Sequence, residues 1–240
     1  MKKLNAFDFT PGSIFGGHYT VIEKLGAGWE GEVYKVSEKH TGIVRAAKLF
    51  YPHRNEKYKV SSRYAKKLNK FSSCPIVMNY HSQEIIEYDG HKVACLISEF
   101  IDGEMLSDFL KRYRSGKLGV FQAVHLLYAL ALGVESIHLN GEYHGDLHVD
   151  NIIIKRFGLG FDLKVIDMHH WGDSKKDNRD EDIVKMIHLF YEVLGGKKYY
   201  KNHPPEIKNI IKGLKRSLIL GEYKTVSHLR LHLETLNWGV

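Results

Sequence analysis

Two carboxylates and an amide stand at the two ends of one predicted β-hairpin. The run HGDLHVDN at residues 144–151 leads into an apolar strand, and a second strand ends at Asp167 after a turn near residues 158–160. A short hairpin sets residues near 152 opposite residues near 167, so we expect Asn151 and Asp167 side by side, with Asp146 on the loop above them. Such oxygen ligands suit a hard cation such as Mg²⁺ that keeps part of its water and also binds phosphate. The pattern therefore predicts phosphate chemistry.

A glycine pattern near the N-terminus is the second candidate. Gly26, Gly28 and Gly31 form G-x-G-x-x-G. Alone this is weak evidence, because many glycine-rich turns match it. A dinucleotide-binding fold needs a helix after the last glycine, whereas residues 32–36 alternate like a strand. The glycines are therefore expected in a hairpin whose backbone N–H groups can approach phosphate oxygens.

Lys48 ends the third predicted strand. A lone strand lysine is usually solvated, but the small Ala46 two residues earlier shares its face and leaves room for a flat base. A lysine placed there can bind the α and β phosphates as a point charge.

The elements that position these residues change in kind along the chain. The first part is predicted to contain strands at 19–25, 32–36, 43–49, 85–88 and 92–100. Beyond a hinge near 99–103 the chain is predicted to be mainly helical. A short helix is expected at 106–114 and a buried one at 120–139, which is apolar on nearly every side. Helical spacing predicts a helix at 181–194, Pro204-Pro205 opens another, and the last starts at Ser227. The fold class is therefore α+β, with one strand-rich domain at 1–100 and one helical domain at 101–240.

Together the motifs resemble the protein-kinase-like superfamily, in family order and over nearly the whole chain. The glycine loop, the lysine of AAK, the hinge-like LISEFIDG, the loop HGDLHVDN and the aspartate of VID carry the resemblance. It implies a bilobal fold, with a β-rich N-lobe that has one main helix and a reduced helical C-lobe. The function it implies is that of a compact, atypical, bacterial-type Ser/Thr protein kinase.

By that resemblance each motif receives a role. Asp146 accepts the proton of the attacking hydroxyl, and Asn151 and Asp167 bind Mg²⁺ against the phosphates of ATP. Asp182 is similar to the helix aspartate that hydrogen-bonds the catalytic-loop backbone in protein kinases, and His144 is expected to brace the backbone below Asp167. Lys48 is both a catalytic and a phosphate-binding residue. The nucleotide-binding set that the resemblance implies is Gly26, Gly28, Gly31, Val33, Ala46, Lys48, Glu99 and Ile101.

The chain departs from the protein-kinase pattern after the catalytic aspartate. Gly145 stands where most regulated protein kinases have arginine, so activation by a phosphorylated loop is not expected. Met168-His169 replaces Phe-Gly, the span from Asp167 to Asp182 is short, and no Ala-Pro-Glu anchor occurs. The platform for a peptide substrate is therefore expected to be reduced or missing. HGDLH is similar to the loop of aminoglycoside and choline phosphotransferases and of several atypical protein kinases.

The carboxylate partner of Lys48 is open at this point. Alignment to the family places Tyr64 where a glutamate is expected, and Glu56 is the one carboxylate in that segment. Lys48 could pair with Glu56, with another group, or only in the presence of a partner.

The formal net charge of +7 is concentrated between residues 54 and 70. This segment is predicted to be an amphipathic helix with a basic face, opposed by Glu56 alone. Such a face is usually simply solvated, and the alternative is a patch for an acidic partner. We do not expect nucleic acid as a partner, because no nucleic-acid motif accompanies the charge.

Two cysteines in 240 residues do not indicate a disulfide scaffold. The N-terminus lacks an apolar signal core, and the apolar stretch 124–134 is short for a bilayer span and contains His125. We therefore expect no membrane contact and a cytoplasmic protein, with delivery into another cell left open.

Three functions remain in competition. The first is a Ser/Thr protein kinase that uses Mg-ATP and a protein substrate of unknown identity. The second is a small-molecule phosphotransferase of the aminoglycoside or choline type, which the loop HGDLH favours. The third is a non-catalytic nucleotide-binding module, which the missing glutamate favours and the retained Lys48, Asp146, Asn151 and Asp167 oppose.

Overall fold

The computed structural model describes residues 3–158, 160–169, 172 and 174–237. They form two compact units, Met1–Ser73 with Met78–Ile101, and Cys74–Val77 with Asp102–Val240. The segment Cys74–Val77 belongs to the second unit because the Val165 N–H donates to the Ile76 carbonyl at 2.7 Å.

The first unit is built on a six-stranded antiparallel sheet in the order β1-β2-β3-β4-β6-β5. Its strands are Ile14–Phe15 (β1), Tyr19–Ala27 (β2), Gly31–Glu38 (β3), Val44–Phe50 (β4), Tyr80–Tyr88 (β5) and His91–Glu99 (β6). Each strand predicted from the sequence is present. The β5 strand begins five residues before its prediction, because its polar first half carries little apolar signal.

One face of this sheet is covered by the N-terminal segment. Phe7 stacks on Tyr51 with ring centroids 5.4 Å apart, and the Tyr34 hydroxyl donates to the Phe7 carbonyl at 2.8 Å. Ala47 and Leu49 of β4 are fully buried in the same cluster. Because strand side chains alternate, Lys48 points to the opposite face.

Helix Lys59–Lys70 (α1) packs against β5 and β6. Its buried positions Ser61, Tyr64, Ala65 and Leu68 follow the spacing i, i+3, i+4, i+7 of one helix face. The predicted basic helix is present from Lys59 onward, whereas Glu56–Tyr58, within the predicted range, forms a short 3-10 turn.

The second unit is mainly helical. Its helices are Leu106–Lys111 (α2), Val120–Leu139 (α3), Lys175–Val193 (α4), Gly196–Tyr200 (α5), Pro205–Ile211 (α6), Arg216–Glu222 (α7) and Val226–Glu234 (α8). Helix α2 is three residues shorter than predicted at its C-terminal end. Helix α4 begins six residues earlier than predicted, where Ser174 caps it by accepting from the Asp177 N–H at 3.2 Å.

Helix α3 lies at the centre of this unit and contacts α4 and α8. Eight of its 20 residues are buried, including Leu126, Leu130 and Val134. Its length and composition alone would suffice to cross a membrane, so the expectation that the apolar stretch is too short was wrong on length. The core helix of a globular protein passes the same test, and α3 packs against α4 and α8 within this unit.

A small sheet carries the acidic hairpin. Its strands, in the order β7-β8-β9, are Glu104–Met105 (β7), Ile152–Phe157 (β8) and Gly160–Val165 (β9). Ile152 pairs with Val165, and Phe157 pairs with Gly160. Asn151 therefore lies at the start of one strand and Asp167 just beyond the end of the other.

Candidate active site

The three glycines of the first unit have different structural roles. The hairpin that joins β2 and β3 is closed by the Gly28 N–H, which donates to the Gly31 carbonyl at 2.8 Å. A side chain at Gly31 would collide with the backbone oxygen of Leu49, whereas one at Gly26 or Gly28 would meet nothing within 4 Å. Gly31 is therefore required by the sheet, and the backbone around Gly26 and Gly28 is left open for an approaching group.

The predicted nucleotide-binding side chains of β3 and β4 share one face. Val33 pairs directly with Lys48, and Ala46 lies two residues before Lys48 on the same strand. All three are half-buried rather than packed into the core. The face offers an apolar surface for a flat base beside a cation for phosphates.

Lys48 pairs with a carboxylate that the sequence analysis did not consider. Its ammonium donates to Glu30 Oε2 at 3.0 Å, and the Lys48 side chain is only 13% exposed. Glu30 lies on the glycine turn, next to Gly31, which pairs with the end of β4. Tyr64, at the position where the family resemblance placed a glutamate, has its ring centroid 5.1 Å from Lys48 Nζ. Glu56 is exposed on the turn before α1.

The last two residues of the predicted nucleotide-binding set, Glu99 and Ile101, lie at and just after the end of β6. The Glu99 carboxylate accepts from the Asn79 backbone N–H at 3.0 Å and from its side-chain amide at 3.2 Å, so it is bound locally. Ile101 makes no hydrogen bond within the part of the chain that the structure describes, and its backbone groups are therefore available. This arrangement supports the predicted contact through the backbone rather than through the Glu99 side chain.

A buried acid anchors the glycine hairpin from the other face of the sheet. Glu32 is 2% exposed and accepts from Lys24 at 2.7 Å, from the Tyr34 hydroxyl at 2.5 Å and from the Phe7 N–H at 3.3 Å. Burial raises the pKa of Glu32, but these donors outweigh it and the net pKa lies below the ordinary value. Burial and the adjacent Glu32 carboxylate raise the pKa of Tyr34.

In the second unit, His144 connects the catalytic loop to the hairpin. It is fully buried, its Nε2 lies 2.9 Å from the Ile166 carbonyl, and its Nδ1 accepts from the Asp146 N–H at 3.2 Å. Since a carbonyl can only accept, Nε2 bears the proton and the ring is neutral. His144 therefore braces the backbone directly before Asp167, at the place expected from the sequence.

Asp182 of α4 fixes the same loop from below. It is 1% exposed, and its carboxylate accepts from the His144 N–H at 2.7 Å and the Gly145 N–H at 2.8 Å. His138 Nε2 lies 3.0 Å from the same group. Gly145 has φ +88, a conformation that favours glycine over the arginine common in the family. Both backbone donors of this tight turn are thus satisfied by one side chain.

Asn151 orients Asp146, the residue that the sequence predicts to be catalytic. Its side-chain N–H₂ donates to the Asp146 carbonyl at 2.9 Å and to Asp146 Oδ2 at 3.1 Å. The Asp146 side chain remains 46% exposed, with His148 Nε2 at 3.5 Å from the same oxygen. Because its amide nitrogen is used by Asp146, Asn151 keeps its amide oxygen as an acceptor for another group.

The residues expected to bind Mg²⁺ meet at one end of the hairpin. The Ile166 N–H donates to the Asn151 carbonyl at 3.0 Å, and Asp167 follows with φ +54, a strained value for a residue other than glycine. An amide oxygen and a carboxylate are hard donors, and a pair of them suits a cation that keeps several waters and binds phosphate. The donor set therefore fits Mg²⁺.

The segment after Asp167 is short. Met168 is buried, the His169 N–H donates to the His144 carbonyl at 2.9 Å, and α4 begins at Lys175. Residues 170, 171 and 173 lie outside the described part of the chain. A span of this length leaves little chain for a platform that holds a peptide substrate.

The chain is similar to known proteins in both sequence and structure. The protein kinase domain family matches residues 19–213. The chain is 28% identical over 154 residues to the serine/threonine-protein kinase pkn2 of Myxococcus xanthus, covering 64% of this chain and 18% of that protein. It is 29% identical over 152 residues to the cyclin-dependent kinase B2-2 of Arabidopsis thaliana, covering 61% of this chain and 47% of that protein. The chain thus spans less than half the length of these relatives.

Among solved structures, the chain is similar to the kinase domain of PknI from Mycobacterium tuberculosis. The TM-score is 0.68 at 16% identity, with 96% of this chain and 100% of that chain covered. At that identity the likeness shows the fold, which is the protein-kinase fold: a curled β-sheet lobe and a helical lobe.

Proposed function

The chain belongs to the protein kinase domain family, and on that premise we propose that it transfers the γ-phosphoryl group of ATP to a serine or threonine hydroxyl of a protein. The observation that carries the proposal is the support of Asp146. Its backbone donates to His144, its carboxylate accepts from Asn151, and the loop beneath it is fixed by Asp182. A half-exposed carboxylate held in this way is suited to a hydroxyl from outside the protein.

The transfer needs positioning more than covalent help. Asp146 orients the substrate hydroxyl and accepts its proton, while the hydroxyl oxygen bonds to the γ-phosphorus and the bond to the bridging oxygen of ADP breaks. Lys48 binds the phosphates, and the backbone near Ile101 binds the base against Val33 and Ala46. Asn151 and Asp167 would bind Mg²⁺, and the bound cation would neutralise part of the negative charge of the phosphates.

We propose a mode of regulation that does not depend on loop phosphorylation. Gly145 has φ +88 and supplies no cation to bind a phosphorylated loop. The segment between Asp167 and Lys175 is also too short to form a long activation segment. The catalytic loop instead depends on the buried contacts of His144 and Asp182.

A small-molecule phosphotransferase is the second candidate. The loop HGDLH and the short segment after Asp167 favour it, because neither a peptide platform nor a regulatory arginine is needed for a small alcohol. The protein substrate is preferred because several of the matching relatives are named as serine/threonine-protein kinases.

Transfer of label from radioactive ATP tests the proposal. With Mg²⁺, the purified chain is expected to label itself or a generic protein on serine or threonine, as phosphoamino-acid analysis would show. Asp146→Asn is expected to reduce the rate by about 100-fold or more, whereas Asp162→Asn, an exposed acid on β9, serves as the matched control.

The other readings give different outcomes in the same assay. Labelling of aminoglycosides or choline without any labelling of protein would favour the small-molecule reading. ATP binding without transfer to any acceptor would favour a non-catalytic module. We also propose a cytoplasmic location, which the two free, buried thiols support, with delivery into another cell as the alternative.

A further inference from the structure

The Lys48 ammonium lies among groups from three different elements of the first unit. The glycine turn contributes the Glu30 carboxylate at 3.0 Å, and the ring centroids of Phe50 and Tyr64 lie 5.3 and 5.1 Å from Lys48 Nζ. Phe50 stands two residues beyond Lys48 on β4 and shares its face, whereas Tyr64 belongs to α1. A carboxylate and two aromatic rings therefore surround the end of this side chain, of which 13% is exposed.

The rings differ from the carboxylate in their charge. The face of an aromatic ring attracts an ammonium that lies within about 6 Å of its centroid, and the attraction is stronger where water is excluded. Phe50 is 1% exposed and Tyr64 is 8% exposed, so both rings are shielded from water. A ring has no net charge and does not neutralise the lysine. It can therefore fix the position of the ammonium and still leave the positive charge to bind phosphate.

The carboxylate and the Tyr64 ring also differ in how they are held. Glu30 lies on the glycine turn, its side chain is 31% exposed, and phosphates that bind Lys48 compete with it for the ammonium. Tyr64 lies on the buried face of α1, which packs against β5 and β6. A phosphate that takes the place of Glu30 therefore leaves the Tyr64 ring where it is.

We propose that Tyr64 is a positioning residue for Lys48, and that the face of its ring holds the ammonium for the phosphates at the position where the family resemblance places a glutamate. The inference rests on the proposed binding of phosphates by Lys48. The competing explanation is that Tyr64 only packs α1 onto the sheet, because it shares the buried helix face with Ala65 and Leu68. The two explanations differ in whether the electron density of the ring matters when its size is unchanged.

NMR spectroscopy of the nucleotide-free protein tests the contact itself. Lysine labelled with ¹³C at the ε-methylene gives one signal for each lysine, and the signal that disappears in Lys48→Arg belongs to Lys48. Ring currents shift protons that lie over a ring face upfield. We expect the Lys48 signal upfield of the position of a solvated lysine in the wild type and in Tyr64→Phe, and displaced towards that position in Tyr64→Leu.

Calorimetric titration with Mg-ATP tests the consequence for phosphate binding. Tyr64→Leu is expected to weaken the affinity about threefold to tenfold, as the loss of one shielded cation–π contact predicts, and Tyr64→Phe is expected to restore it to within about threefold of the wild type. Phenylalanine with one, two or three ring fluorines at position 64 keeps the packing but withdraws electron density from the ring face. We expect the affinity to fall stepwise with the number of fluorines.

Phe71→Leu is the matched control, because it removes a buried ring just beyond the end of α1. It is expected to leave the Lys48 signal in place and to change Mg-ATP affinity by less than about twofold, since effects at separate sites are independent. Thermal unfolding shows whether both leucine variants are folded. If Tyr64→Leu does not fold, the fluorinated series decides, because it retains the shape of phenylalanine.

Three results would overturn the inference. A wild-type Lys48 signal at the position of a solvated lysine, or an affinity that does not respond to fluorination, would mean that Tyr64 only packs α1. Equal losses of affinity in Tyr64→Phe and Tyr64→Leu would assign the effect to the hydroxyl group instead of the ring. Failure of phosphoryl transfer, with the Lys48 shift and the fluorine trend both present, would support the inference and contradict the proposed function alone.

Discussion

The Glu30 carboxylate binds the Lys48 ammonium at 3.0 Å, from the glycine turn rather than from helix α1. The phosphates of a nucleotide are proposed to bind the same ammonium, so they must compete with Glu30. Glu30→Gln is therefore expected to tighten Mg-ATP binding by about threefold to tenfold, which corresponds to roughly the free energy of a partly exposed ion pair. Isothermal titration calorimetry of the wild type and the variant measures this change in Mg-ATP affinity.

Glu56→Gln is the matched control for that experiment. It removes the same charge from an exposed position outside the glycine turn and is expected to leave ATP affinity unchanged. Weaker ATP binding in Glu30→Gln would contradict the competition and would mean that Glu30 instead positions Lys48 for the phosphates.

Substitutions of Gly31 and Gly28 are expected to have different effects, the first mainly on the stability of the fold and the second mainly on ATP binding. Gly31→Ala places a methyl group against the Leu49 backbone oxygen and is expected to destabilise the fold by about 2 kcal/mol or more. Gly28→Ala meets open space and is expected to change stability by less than about 1 kcal/mol, but to weaken ATP binding. Denaturant unfolding and ATP titration of both variants check this. Equal destabilisation by the two would show that the hairpin geometry is misassigned.

The anchoring of the catalytic loop by Asp182 is expected to dominate local stability. Asp182→Ala leaves the His144 and Gly145 N–H groups without their acceptor, at an expected cost of about 2–4 kcal/mol in the free energy of unfolding. Asp177→Ala, on the exposed first turn of the same helix, is expected to cost less than about 1 kcal/mol. Similar losses of unfolding free energy in the two variants would contradict the role of Asp182 as the buried acceptor of this loop.

Acid destabilisation is expected to involve His203. Burial lowers its pKa, neighbouring Lys117 and Lys208 lower it further, and a backbone contact with Leu194 opposes them in part. Because the folded pKa is depressed, this contribution to stability is present above the unfolded pKa of about 6.5 and is lost as pH falls through the folded value. Unfolding free energies measured from pH 7 to pH 5 are expected to fall less steeply in His203→Gln.

The exposed His40 provides the comparison, since His40→Gln is expected to leave that pH slope unchanged. An unaltered slope in His203→Gln would rule out His203 as a contributor to acid destabilisation.

Local sequence patterns predicted most of the elements. Helix α3 has the predicted bounds, because the stretch is apolar on nearly every side, as expected of a buried helix. The acidic loop was predictable because its residues are contiguous and lead directly into a strand. Short elements were missed, among them α5 and α7, because five to seven residues give little periodic signal.

The contacts that the sequence did not reveal join residues far apart in the chain. Glu30 and Lys48 are 18 residues apart, and Phe7 and Glu32 are 25 apart. Their contacts depend on the strand pairing that sets Gly31 opposite Phe50 and on the path of the N-terminal segment. Residue types alone therefore indicated that Lys48 needs a partner, but only the strand register identifies Glu30.

Thermal unfolding with Mg-ATP tests most directly whether the chain binds a magnesium-bound triphosphate and whether Asp167 contributes to that binding. At about one hundred times the dissociation constant, a ligand stabilises the folded state by about 2.7 kcal/mol, which corresponds to roughly 5 to 10 °C in Tm for a chain of this length. We expect that shift in the wild type and the loss of its magnesium-dependent part in Asp167→Asn. Stabilisation of equal size in both proteins, with and without Mg²⁺, would contradict the assignment of Asp167.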